Sequence, residues 1–123
     1  MEVHDYKTGK AKAEWKAKDA YEKVKLHEYE RQLIFYKILV EHSRDYARNY
    51  RVERGVLEFV EPMPNGYAVD LILDMDAEKV ERVKRLAAVV YHKIMNLDFP
   101  DVTRYSQDLE GMLAFEEDLL GTE

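Results

Sequence analysis

Val3-His4-Asp5-Tyr6-Lys7-Thr8-Gly9-Lys10, VHDYKTGK, is the stretch on which the reading of this chain turns. Glu2 to Lys7 reads as a strand that ends at the Thr8-Gly9 turn. Side chains two apart in a strand point to one face, so Asp5 and Lys7 share a side and His4 takes the other. A carboxylate there can ligate a hard divalent ion such as Mg²⁺, and the neighbouring ammonium can orient or polarise a water beside a phosphate. A casual ion pair on an exposed strand has the same appearance, so the rest of the chain has to decide between them.

Downstream, residues 10–20 are rich in Lys and Ala without an apolar face, which fits an exposed helix or a flexible loop. Leu26, Tyr29, Leu33, Tyr36 and Val40 recur on one helical face, which predicts a helix from about Tyr21 to Tyr46. Within it LIFYKILV is apolar nearly all round, as in a helix buried on more than one side. Residues 51–61 alternate but break phase near Gly55, which predicts a bulge or a late strand start. Pro62-Met63-Pro64-Asn65-Gly66 is a turn, and Tyr67 to Leu73 resumes as a strand, giving a hairpin. Asp76 is placed to cap a second helix to about Asn96, with Val80, Val83, Ala87, Val90 and Ile94 as its buried stripe. Pro100 closes that region. The order strand, helix, hairpin, helix predicts an α/β fold of about three strands and two long helices. The helix between the first strands requires a crossover, so the sheet is parallel in part, or mixed. The helices are expected to pack on that sheet.

The 123 residues suit a single domain, with residues 1–97 as its core and 98–123 as an acidic C-terminal tail holding at most one short helix. The net charge of −6 is unevenly spread: residues 1–25 hold seven lysines against five acids, and residues 98–123 hold eight acids against one arginine. A basic beginning suits phosphates, whereas the acidic total argues against a free-standing, high-affinity nucleic-acid binder. With no cysteine, disulfides and thiolate metal sites are excluded, and a reducing cytoplasm is the natural compartment. No run approaches the roughly 18 apolar residues needed to span a membrane, so no membrane partner is expected. His4, His27, His42 and His92 have no mutual metal spacing, and Asp70, Asp74 and Asp76 are read as a strand end and a helix cap.

DYKTGK resembles the DYKTG motif of the RecB-like branch of the PD-(D/E)xK nucleases, and Gln32-Leu33-Ile34-Phe35-Tyr36 resembles the Q-x-x-x-Y motif of the helix that follows it in that family. The resemblance covers residues 2 to about 74. It implies a restriction-endonuclease-like core, with Asp5 as a metal ligand for Mg²⁺ or Mn²⁺ and Lys7 as the catalytic lysine. Gln32 and Tyr36 fall on one helix face, four residues apart, and suit positioning of a phosphate backbone rather than proton transfer. If the family reading holds, Lys7 and Gln32 approach within about 6 Å, a direct or one-water bridge. Relatives carry a histidine-bearing helix and an acid-bearing strand before the DYK strand, and only four residues precede Asp5 here. The resemblance therefore implies a partial nuclease domain, inactive alone, from a DNA repair protein of the UvrD/Rep or AddA/RecB type with upstream helicase domains.

The lysines of the 10–25 region read as a solvated loop or, beside this site, as a phosphate-tracking segment in which Lys10, Lys12 and Lys16 meet DNA and Trp15 stacks on a base. Two other functions fit the same residues: a non-catalytic module that binds DNA or braces a helicase, and a protein-interaction domain. An unpaired sheet edge is a route to association, so a homo-oligomer is expected of the isolated chain.

Overall fold

The computed structural model of the chain describes residues 1–45 and 49–121; Tyr46, the expected end of the first helix, lies outside the described residues. The elements in order are β1 (Glu2–Lys7), α1 (Ala20–Glu41), β2 (Arg54–Phe59), β3 (Asp70–Asp74), α2 (Ala77–Met95) and α3 (Leu109–Leu120). The sheet order is β1-β2-β3, with β1 parallel to β2 and β2 antiparallel to β3. The mixed sheet expected of a crossover followed by a hairpin is therefore present, and β1 forms one of its edges.

Helix α1 starts where Asp19 accepts from the Glu22 amide at 2.8 Å, a side-chain cap for an otherwise unsatisfied donor. Leu26, Tyr29 and Leu33 face the sheet and join Leu57, Phe59 and Leu71 in the main core. One residue further round, Ile34 meets Val80 and Val83 of α2. The all-round apolar run is thus buried on two sides, while Phe35 and Leu39 remain exposed. Leu33 lies so close to β2 that a Cβ on Gly55 would come within 3.0 Å of its Cδ1. That close approach, together with a strand that begins only at Arg54, accounts for the break in alternation at Gly55.

The hairpin turns at Gly66, whose φ of 85° is one that glycine adopts without steric cost. The Asn65 carboxamide accepts from the Tyr67 amide at 3.0 Å. Strand pairing resumes at Asp70, three residues beyond the expected start. Asp76 caps α2 as expected, accepting from the Glu78 amide at 2.8 Å.

Two expectations about the helices are corrected. The buried stripe of α2 is Val80, Val83, Leu86 and Val89, whereas Ala87, Val90 and Ile94 are exposed. The N-terminal half of α2 rests on α1 and the C-terminal half on α3, through Leu86, Val89, Leu119 and Leu120, so the stripe rotates along the helix. For the same reason only α1 covers the sheet; α2 reaches it just at Leu73 and Met75.

The acidic C-terminal segment holds the short helix expected of it, and that helix packs on the rest of the chain. Asp108 caps α3 by accepting from the Gly111 amide at 2.9 Å, and a Cβ at Gly111 would lie 1.7 Å from the Ser106 carbonyl oxygen. Helix α3 then folds back on α1 and α2 with Glu116 turned inward. The sheet face away from α1 carries Glu2, His4, Tyr6, Arg54 and Glu58 beside Val56 and Ile72. Among the described residues, no helix is long and apolar enough to cross a membrane.

Candidate functional site

Parallel pairing sets Val3 opposite Gly55, Asp5 opposite Leu57 and Lys7 opposite Phe59. Those three positions of β1 therefore share the face that α1 covers, and Asp5 and Lys7 come to lie under the helix. His4 points to the other side, as expected, and pairs there with Glu2 at 3.1 Å and Glu58 at 3.4 Å. The bond to Glu2 is the main reason its imidazole is held above the ordinary histidine pKa.

Lys7 is the centre of the arrangement. Its ammonium donates to Gln32 Oε1 at 2.5 Å, lies 2.9 Å from Asp5 Oδ2, and sits 5.0 Å from the centre of the Tyr29 ring. Strand and helix, 25 residues apart in sequence, are thus joined by a charge-assisted contact well inside the expected 6 Å. Tyr36 lines the same shallow cleft as Lys7, Gln32 and Tyr29, and Asp5, which does not line it, joins the group through Lys7. The Tyr36 ring also packs against the main core.

Asp5 Oδ2 is buried without a hydrogen-bond partner; the Lys7 ammonium beside it lies off the hydrogen-bonding direction. A buried carboxylate oxygen left with a free lone pair is costly, and it is an acceptor that a hard cation would satisfy. Among the described residues no three histidine or carboxylate side chains gather as a metal site.

The residues expected to meet DNA divide into two sets. Residues 10–19 form an irregular loop rather than a helix. Lys12 is drawn inward, donating to Glu22 at 3.0 Å and to the Lys16 carbonyl at 3.0 Å. Trp15 donates its indole N–H to the Ile72 carbonyl at 2.7 Å and packs against the core; it braces the loop on β3. Lys10 and Lys16 stay exposed on the rim of a cleft between this loop and Glu61–Pro64.

Tyr29 and Arg31 are cleft-lining residues that the sequence did not single out for the site, and Lys25 was read only as one of the lysines of the 10–25 region. Their signal was helical spacing: Lys25, Tyr29 and Tyr36 lie seven, three and four residues from Gln32, the steps that share a helix face. Arg31 is also tied to α3. Its guanidinium donates to Glu116 Oε1 at 2.5 Å, while Arg82 reaches Glu116 Oε2 at 3.4 Å. His27 Nε2 lies 3.9 Å from the same carboxylate.

No protein-family model, curated protein or solved structure matches the chain.

Proposed function

We propose that the chain contributes part of a RecB-like metal-dependent DNA exonuclease domain, in a helicase-nuclease of DNA repair. The observation that carries this reading is the meeting of Asp5, Lys7 and Gln32 under α1, beside a buried carboxylate oxygen that lacks a hydrogen-bond partner. In this reading Asp5 is one ligand of a Mg²⁺ or Mn²⁺ ion, and the bound ion supplies Lewis-acid polarisation of a phosphodiester and an activated water. Lys7 stabilises negative charge on the phosphate oxygens. Gln32 holds the Lys7 ammonium in place through its carbonyl, so the cation does not have to be ordered when the substrate arrives. Tyr36, on the same helix face, contacts the phosphate backbone through a neutral hydroxyl.

Asp5 stands already paired with Lys7, and it is a single carboxylate. That observation favours a second reading, a module that keeps the fold to bind DNA or to brace a helicase without cleaving. One titration separates the two. In a ¹⁵N-labelled sample, Mn²⁺ is expected to broaden the amide signals of residues 4–7 and the Gln32 side chain first, and Asp5→Asn to abolish that selectivity. Broadening that begins instead at the acidic face of α3, or is unchanged by Asp5→Asn, sinks the nuclease reading and leaves the bracing one. In neither case is the isolated chain expected to cleave DNA, because one carboxylate cannot fix an ion in the geometry of in-line attack. Metal-dependent cleavage lost in Asp5→Ala would refute that expectation.

A further inference from the structure

The Lys7 cleft does not end at Gln32. A second cleft, of about 350 Å³, adjoins it and is lined by Gly9, Lys10 and the first turns of α1. The two share Lys25 and Tyr29. The Lys25 ammonium lies 5.5 Å from the centre of the Tyr29 ring, which also has the Lys7 ammonium at 5.0 Å. One aromatic ring therefore holds two cations, the inner one committed to Asp5 and Gln32.

The outer cations differ in their commitments. Lys12 is neutralised by Glu22 and Arg31 by Glu116. Lys10 and Lys25 make no ion pair among the described residues. The acids in the second cleft are occupied: Asp19 caps α1, and Glu22 takes Lys12 and the Lys18 amide. Asp19, which keeps its charge while capping α1, and Glu28, on the rim of the first cleft, are the acids that oppose an incoming anion. Two unpaired ammoniums along one groove, with an aromatic ring between the inner and outer cations, match a phosphodiester strand rather than a single small anion.

We infer that Lys25 and Lys10 form a phosphate track that carries a nucleic-acid strand from the Lys7 site across Tyr29 toward the 10–18 loop. The inference rests on the nuclease-type reading of the Lys7 site for the strand's destination. It assigns the path to α1 and Gly9-Lys10 instead of to Lys12 and Trp15. Lys25 is a positioning residue, acting on a phosphate next to the one that Lys7 meets.

The test is fluorescence anisotropy of the full chain with a labelled oligothymidylate of roughly 12 nucleotides, titrated over a range of salt. Each phosphate contact contributes about 0.7 to the slope of log affinity against log salt for a single strand. Lys25→Gln and Lys10→Gln are each expected to weaken binding roughly 5-fold at low salt and to lower that slope by about 0.7. Lys25→Arg, which keeps the charge, should retain the slope, and Lys84→Gln, in a separate cleft beside Lys37 and Val52, should change nothing. If Lys7→Gln lowers the slope while Lys25→Gln leaves it untouched, the track is wrong and the Lys7 site stands. If neither variant moves the slope, or the chain binds no oligonucleotide at low salt, the track and the nuclease reading fall together. A loss in Lys25→Arg equal to that in Lys25→Gln would mark a packing role and overturn the inference.

Discussion

Leu33→Ala is expected to lower the unfolding free energy by about 3–4 kcal/mol, the upper part of the range for a leucine truncated in a fixed environment. Leu33 is fully buried and packs among Leu57, Phe59 and Leu71. Its surroundings are poorly placed to collapse into the space. On one side is the backbone of β2 at Gly55, which has no side chain to move in. On the others are strand residues held by pairing on both edges of β2. The same deletion at Leu39, six residues along α1 and 53% exposed, should cost less than about 0.5 kcal/mol. Urea denaturation of the two variants measures the contrast. Equal losses would mean that α1 does not pack on the sheet through the Leu33 face.

Acid is expected to destabilise the fold in two steps, and the contact between α1, α2 and α3 contributes to both. Burial alone would raise the Glu116 carboxyl, but the Arg31 hydrogen bond and charge overcome it and hold the group below its ordinary 4.5. A carboxylate with a depressed folded pKa stabilises above its unfolded value, and that stability is lost as pH falls through the folded one. His27 is held below 6.5, first by burial and then by the Arg31 charge. The unfolded chain therefore takes up its proton first, and stability begins to fall as pH drops below about 6.5. A shallow loss under pH 6.5 should precede a steeper one under pH 4.5.

Glu116→Gln keeps the shape and removes the charge. It leaves the Arg31 guanidinium without its carboxylate partner, while Arg82 keeps Glu117. The two arginine side chains are 33% and 30% exposed, so water screens part of the penalty, and the cost at neutral pH should be about 1–3 kcal/mol rather than the value for a fully buried charge. In this variant the part of the steep step that belongs to Glu116 should vanish. Denaturation curves at pH 7.5, 5.5 and 4 compare the two proteins. An unchanged acid profile in Glu116→Gln would show that the carboxylate does not hold α3 in place. Arg31 also lines the Lys7 cleft, so loosening α3 should be visible in the amide signals of Gln32.

Much of the architecture was legible because it is local. The cap at Asp76, the turn at Asn65-Gly66 and the helical face of Leu26, Tyr29 and Leu33 each follow from a few neighbouring residues, and each is present. The strand of Glu2–Lys7 announced its two faces by parity alone. The pairing of Lys7 with Gln32 was legible only through the resemblance of two short motifs, since nothing in 25 residues of spacing says which face of a helix meets which face of a strand.

What the sequence determined by itself is therefore the set of elements and the side of each strand or helix on which its chemistry lies. Those properties depend on backbone periodicity and on side chains bonding to backbone a few residues away, as Asp19 does at the start of α1. What only the tertiary structure decided is how the elements share their faces. The stripe of α2 passes from Val83 to Leu86 rather than Ala87 because two different helices cover its two halves. The acidic end becomes a helix that buries Glu116, since Arg31 and Arg82 arrive from separate elements to meet it. Trp15 and Lys12 turn inward to Ile72 and Glu22, and Lys25 is left facing the cleft, because the path of an irregular loop is fixed by the surfaces it lands on. Periodicity carries no information about such distant partners; burial against them does.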